Sequence, residues 1–334
     1  MTLELYDNTR IQDSRKCLRY YYFRHIRDWL TIHPRVPLIY GLSWHDAMDV
    51  VWLTLNNDPK VDTKSLAQAA MKAFHNTWIE NGMTSAEDMI GWDKEEVKLK
   101  YKFRTPMNAM EMLWAYIDQR RDFIIQCELM EVEKPFAVPL HPTNADLLYV
   151  GRLDKVVLTP RKKIAAVEHK TTSLGSKNGI QSNHLESYNP NSQVDGYLHA
   201  LRMDYGEKAT SAFIDIALVN AYTQEVFQLW PVSRAPNLLN GWLYEVFYYI
   251  ERIRDNKLML LEYRSDGSPG DVMPCYPKDT SRCFDFFSKC EYHDLCVSWA
   301  NPDEHDIPEG FKEEHWSPFD VLGLDKLGME DEDG

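Results

Sequence analysis

No apolar run in this 334-residue chain approaches the roughly 20 residues that span a bilayer, so no transmembrane helix is expected. The first residues, Met-Thr-Leu-Glu-Leu-Tyr-Asp, lack the basic start and apolar stretch of a signal peptide, which leads to an expectation of a cytoplasmic protein. There is no internal repeat and no low-complexity linker to cut the chain into separate domains. Helix-turn-helix, finger and other base-reading modules are absent too, which argues against sequence-specific reading of nucleic acid. Cationic charge is in deficit: 37 Lys and Arg against 51 Asp and Glu leave a net charge of −14. Such a chain does not coat nucleic acid indiscriminately, and any contact would need a local basic groove. In a reducing compartment the six Cys are thiols or metal ligands rather than disulfides. What the chain does hold is a core: 10 Trp, 18 Tyr and 13 Phe need burial, which excludes disorder over most of its length. The acidic run Met329-Glu-Asp-Glu-Asp-Gly334 reads as a solvated, frayed terminus.

Periodicity divides the chain by element type. Residues 14–30 predict a helix closing before the His33-Pro34 turn. Ser43 is the expected N-cap of a second helix, with Ala47, Met48, Val51 and Leu55 at helical spacing. Helical patterns follow at 63–81 and 94–126. The period then changes: 128–138, 147–158 and 163–170 predict three consecutive strands. A polar stretch spans 173–192, helix returns at 193–205, strands at 211–220 and 225–231, and a long aromatic helix at 236–256. The order predicts an α/β fold, a mixed sheet flanked by helices, with a helical insertion at about 46–126.

The chemistry concentrates between Val150 and Thr172. Glu168 and Lys170 are two apart on one strand and share a face, and Asp154 sits on the neighbouring strand of the hairpin. Two carboxylates and an ammonium on an otherwise apolar sheet are costly unless a divalent cation compensates. Carboxylate-held Mg²⁺ beside a lysine suits phosphodiester hydrolysis. Taken alone, Glu-x-Lys reads as an ion pair on a surface-facing strand.

Further pieces accompany this segment in order. They are Gly41-Leu-Ser-Trp-His45, Glu133-Lys-Pro-Phe-Ala-Val-Pro-Leu140, Gly151-Arg-Leu-Asp154, Glu168-His-Lys170 and Gln193-Val-Asp-Gly-Tyr197. Together they resemble the PD-(D/E)xK nuclease superfamily, in its RecB-like branch of phage exonucleases and CRISPR-adaptation nucleases. The resemblance implies a restriction-endonuclease-like core in which His45, Asp154, Glu168 and the His169 carbonyl bind Mg²⁺ or Mn²⁺. It implies that Lys170 positions or activates the attacking water, and that Gln193 and Tyr197 contact DNA or order the site. Glu131 and Glu133 lie on the strand entering that site; Glu128 reads as structural. Without the motif, His45 would be an ordinary structural histidine, and Gln193 with Tyr197 a surface pair. The resemblance implies one nuclease domain over 1–300, with a catalytic core at about 128–256, a Cys-containing segment at about 275–296, and an extension at 301–334. The implied activity is metal-dependent, sequence-independent hydrolysis of DNA, as an exonuclease in recombination, repair or phage DNA processing. The alternatives are a CRISPR-adaptation-like nuclease working with a partner integrase, and a catalytically silent DNA-binding scaffold.

Part of this branch joins one early Cys to three near the C-terminus around an iron–sulfur cluster. Cys17, Cys283, Cys290 and Cys296 stand where such a [4Fe-4S] set would lie. The six residues between Cys283 and Cys290, where the family has two, leave open both the cluster and the choice of Cys283 over Cys275. Zinc or buried free thiols are the alternatives. Three basic stretches are present: Arg15-Lys16-Arg19-Arg24-Arg27, Lys98-Lys100-Lys102-Arg104 and Arg161-Lys162-Lys163. The first two interleave aromatics, which suits phosphate tracking and base stacking as well as solvated helix faces. The third reads as a solvated turn.

Overall fold

The computed structural model describes residues 3–32, 35–90, 92–176, 178–207, 209–266, 270–285 and 288–322. The His33-Pro34 turn and the acidic tail from Met329 lie outside the described residues. The first elements are β1 (Glu4–Tyr6), α1 (Asn8–Lys16), α2 (Leu18–Tyr21), β2 (Trp29–Thr31), α3 (Val36–Asn57), α4 (Thr63–Glu80), α5 (Lys94–Tyr101) and α6 (Pro106–Gln126). Then come β3 (Glu128–His141), β4 (Asn144–Leu158), β5 (Ile164–Thr172), β6 (Gly175–Ser176), β7 (Gly179–Ile180), α7 (Ser182–Glu186) and α8 (Ser192–Tyr205). The last are β8 (Ser211–Leu218), β9 (Phe227–Ser233), α9 (Pro236–Ser265), α10 (His293–Ser298), β10 (Phe311–Glu313) and α11 (Pro318–Leu322). The fold is α/β with a mixed sheet in the order β1-β4-β5-β8-β9, and β3 also pairs with β4. β1 runs parallel to β4, β5 antiparallel to β4, β8 parallel to β5, and β9 antiparallel to β8. No described helix is long and apolar enough to cross a membrane.

The chain divides into two compact units: Pro34–Lys134 with Arg152–Pro236, and Met1–His33 with Pro135–Gly151 and Asn237–Gly334. In the first, α3, α4 and α6 bury Tyr40, Trp44, Trp52, Phe74, Trp78 and Tyr116 against Val157, Ala165 and Val167 of the sheet. Odd-numbered β5 residues therefore face these helices, and Glu168 and Lys170 take the opposite face.

Two helix expectations change here. α3 starts at Val36, with Pro37 in its first turn, and Ser43 lies inside it, its hydroxyl donating to the Ile39 carbonyl at 2.9 Å. The proline sets the start, and a hydroxyl already satisfied by the preceding turn has no capping role. The helical block thus begins at 36 rather than 46. The pattern at 94–126 is two helices. Lys102 and Phe103 adopt left-handed backbone (φ 48° and 66°). Thr105, whose side-chain oxygen accepts the Asn108 N–H, then opens α6 with Pro106.

The second unit corrects the helix expected at 14–30. Asp7 caps α1, its carboxylate accepting from Arg10 N–H at 2.7 Å; the helix breaks at Cys17, whose backbone is extended, and Trp29–Thr31 is a strand paired with β10. Tyr21, Tyr22 and Phe23 are buried, and aromatic contacts with Tyr276, Trp29 and Tyr292 hold them. Three basic residues of this stretch bind main-chain carbonyls. Arg19 Nε donates to the Tyr276 carbonyl (2.9 Å), Arg24 to that of Glu314 (3.1 Å) and Arg27 to that of His305 (2.7 Å).

Candidate active site

Antiparallel pairing sets Lys155 opposite Val167. Continuing that register by one residue brings Asp154 to Glu168, both carboxylates being buried at 7% and 3% exposure. Asp154 Oδ2 accepts the backbone N–H of His169 (2.8 Å) and lies 3.2 Å from His45 Nδ1, which α3 delivers from its third turn. On the other side of the pair, Lys170 Nζ reaches Glu168 Oε1 (2.5 Å) and donates to Gln193 Oε1 (3.1 Å). Gln193 Nε2 donates to Tyr197 Oη at 2.8 Å, which fixes the amide so that its oxygen faces the ammonium. Asn191 caps α8 through the Gln193 and Val194 N–H groups, so one helix face presents both residues. His45, Asp154, Glu168, Lys170, Gln193 and Tyr197 are thus brought together in one unit.

His169 contributes through its backbone. Its ring is fully buried on the helix-facing side near Trp52 and Tyr116, with neither ring nitrogen hydrogen-bonded. In an extended strand a residue's N–H and C=O share an edge, so its carbonyl lies on the edge that meets Asp154.

The electrostatics follow from burial and close charge. Burial opposes ionisation of Asp154, yet His45 and Lys155 outweigh it and hold the carboxyl below its ordinary range. Burial likewise works against a charged His45, but Asp154 pushes it up to about 9. Glu168 is pushed up to about 7 by burial and by Asp154, against the pull of Lys170. Its Oε2 is buried without a hydrogen-bond partner. Lys170, despite burial, is raised by Glu168 and Asp154.

Sequence reasoning leaves Glu133 without a role. Ligand atoms of His45, Glu133 and Asp154 all lie within 4.8 Å of one another, the one such group of three among the described residues. Glu168 stays out of that trio with one oxygen held by Lys170. Glu133 takes a left-handed backbone (φ 47°) within β3, and burial with Asp154 and Asp49 pushes its carboxyl up to about 7. The signal present in the sequence is the Glu131–Glu133 alternation just ahead of Lys-Pro. An imidazole and hard carboxylate oxygens this close, with an orphaned Glu168 oxygen beside them, fit a divalent cation.

In the other unit, Cys17, Cys283, Cys290 and Cys296 line one small cavity, with Cys17 Sγ accepting the Asp279 N–H at 3.2 Å. Cys275 is buried but is not among the residues that line it. Burial raises the thiols of Cys290 and Cys296, the latter to about 11. No three of these sulfurs lie within 4.8 Å of one another, whereas Zn–S bonds of about 2.3 Å would bring tetrahedral sulfurs to about 3.8 Å.

No protein-family model matches this chain, and no curated protein matches it in sequence.

Proposed function

We propose that the protein is a metal-dependent DNA nuclease with a restriction-endonuclease-like core of the RecB-like type, acting as an exonuclease. The observation that carries this reading is the convergence of His45, Asp154, Glu168 and Lys170, from one helix and two adjacent strands, around a buried carboxylate pair. His45, Asp154 and Glu133, with Glu168 beside them, would hold Mg²⁺ or Mn²⁺. When bound, the cation lowers the pKa of its water and offsets charge developing on the phosphoryl oxygens. Asp154 stays ionised through the His169 N–H and its charged neighbours. Lys170, gripped by Glu168 and Gln193, keeps its ammonium fixed where it can donate to the attacking water or a phosphoryl oxygen. Tyr197 orients the Gln193 amide and so acts at one remove. The absence of a base-reading module in the sequence supports sequence-independent cutting.

For the four cysteines we infer a [4Fe-4S] cluster with a structural role. The support is a shared cavity and a sulfur spacing wider than a single zinc ion requires. Such a cluster would tie the break between α1 and α2 to the C-terminal segment.

The nuclease reading is tested by incubating end-labelled single- and double-stranded DNA with Mg²⁺, Mn²⁺ or EDTA. Wild type and Lys170→Ala run side by side. Metal-dependent loss of DNA by the wild type alone is expected. Equal cleavage by Lys170→Ala would refute the assignment, and no cleavage by either would favour the binding scaffold.

A further inference from the structure

The N-terminus of α3 lies far from the carboxylates, and an unusual charge arrangement surrounds it. Arg35 provides no side-chain cap, and the first turn holds no acidic residue. The positive end of the helix dipole lies there, although the Leu38 and Ile39 N–H groups already donate to the Arg35 carbonyl at 2.9 and 3.1 Å. Four cations, Arg35, Lys100, Lys102 and Arg104, line a cleft of about 440 Å³ with that first turn, and no described carboxylate lines it.

Arg104 is the decisive residue. It is 6% exposed, its Nε is buried with no hydrogen-bond partner, and its guanidinium forms no ion pair among the described residues. The phenol of Tyr40 is close enough to act on it, but burial keeps that phenol protonated and neutral. A buried guanidinium with nothing to neutralise it is costly, and an anion in the cleft would supply the missing partner.

A neighbouring groove indicates which anion. Lys102 also lines a groove of about 750 Å³ with Lys98, bordered by Trp92, Phe103 and Tyr222 and, beyond the end of β5, by Ser173 and Gly175; Glu95 and Glu111 line it too. Two successive left-handed residues, Lys102 and Phe103, set this corner, and such strain persists only where the surrounding structure enforces it. Cations beside the exposed ring of Tyr222, with Trp92 and Phe103 half-buried along the groove, match a single strand, with phosphates on the former and a base on the tyrosine. Val36 and His45 are nine residues apart on α3, about 13 Å of helix rise, so a phosphate here is not the one being cut.

We propose that this cleft binds a phosphate of the nucleic-acid strand, remote from the reacting phosphate, with Arg104 as its buried contact and Lys100 and Lys102 at its rim. The anion site stands on its own geometry; the strand as its occupant rests on the nuclease reading.

The first test is thermal unfolding of the full chain without added divalent metal, in inorganic phosphate against chloride at equal ionic strength. Phosphate should raise the wild-type midpoint saturably, and Arg104→Met should lose that rise. A Lys100→Gln/Lys102→Gln double variant should reduce it, and it serves if Arg104→Met does not fold. No rise in the wild type, or equal rises in all variants, would overturn the site. The second test is anisotropy of a labelled single-stranded oligonucleotide across salt concentrations. The variants should bind about tenfold more weakly, the effect of removing one charge-assisted hydrogen bond. Their salt slope should fall by about 0.7 for each phosphate left without its cation. Strands carrying 5′-phosphate, 5′-hydroxyl or a closed circle separate a terminal phosphate from an internal one. Phosphate stabilisation with unchanged strand binding would overturn the strand as occupant. Wild-type cleavage with no binding effect of these substitutions would sink the inference and spare the nuclease reading; binding effects without any metal-dependent cleavage would do the reverse.

Discussion

The ammonium of Lys155, wholly buried, donates to Asp49 Oδ1 at 2.7 Å. Lys155 follows Asp154 on β4, and Asp49 lies four residues after His45 on α3, so this ion pair clamps together the two elements whose side chains meet at the candidate metal site. Burial drives the Asp49 carboxyl up, against the opposing pull of Lys155, so neither partner is comfortable alone. Lys155→Met should therefore destabilise the protein by about 3 kcal/mol, the usual result of stripping one partner from a buried pair. Lys155→Met with Asp49→Leu should recover most of that loss. Urea unfolding of the single and double variants gives the coupling; additive losses would mean that the pair does not act as a clamp.

Glu133 should matter to metal more than to folding. It is partly accessible, and its oxygen belongs to the trio with His45 and Asp154. Glu133→Gln is expected to weaken Mn²⁺ binding by about tenfold or more, within the range that altered metal-site residues show. Asp154→Asn should abolish it. The measurement is the Mn²⁺-dependent shift of the thermal midpoint, reversed by EDTA in the wild type. An unaltered Mn²⁺ titration in Glu133→Gln would remove that residue from the site.

Much of this site is legible in the sequence because strand and helix periods are rigid rules. Glu168 and Lys170 have to share a face, Gln193 and Tyr197 have to stack one turn apart, and the hairpin has to bring Asp154 alongside. What escapes depends on events outside any period. The left-handed bend at Glu133 turns an unassigned strand residue inward. The Asp49–Lys155 contact joins residues 106 apart and leaves no local trace. The start of α3 misleads because Ser43 resembles a cap although Pro37 has already begun the helix. The tyrosine-rich stretch near the N-terminus has helical composition, yet extended backbone at Cys17 and the burial of its aromatics against Tyr276 and Tyr292 break it. Gly151 of the Gly-x-hydrophobic-Asp motif has a reason visible only in three dimensions: a Cβ there would sit 2.5 Å from the Phe136 ring.

That approach makes Gly151→Ala a packing test independent of chemistry. The ring of Phe136 is buried and stacks on Tyr149, so it has little room to retreat. Overpacking should cost about 1–3 kcal/mol, read as a lower urea midpoint. Gly151→Ala combined with Phe136→Leu should recover part of it. Unchanged stability of the single variant would show that the ring moves freely.

The cysteine assignment separates cleanly by composition. Anaerobically purified wild type is expected to carry about four iron and four sulfide per chain, as a [4Fe-4S] cluster requires, with broad visible absorption. Cys283→Ser should lose it, whereas Cys275→Ser, which alters a thiol outside the cavity, should retain it. Zinc in place of iron, by elemental analysis, would overturn the cluster while keeping the ligand set.

Asp303 gives the pH dependence a definite sign. Its Oδ1 accepts from Tyr22 Oη at 2.7 Å, and Arg264 grips both oxygens, Nη2 at 2.7 Å and Nε at 3.0 Å. Burial would raise this carboxyl, but Arg264 and Tyr22 prevail and hold it below its ordinary value of 3.8. A folded-state pKa below the unfolded one contributes stability above the unfolded pKa, and that contribution disappears as pH falls through the folded pKa. The wild type should therefore lose stability on going from pH 5 to pH 3 more steeply than Asp303→Asn, which keeps the shape but has no proton to take up. Thermal midpoints of both proteins across that interval decide the matter. At pH 7 the wild type should be the more stable of the two, and the gap should close towards pH 3. A constant gap would mean that Asp303 holds Tyr22 and Arg264 by shape and hydrogen bonds alone, with no contribution from its charge.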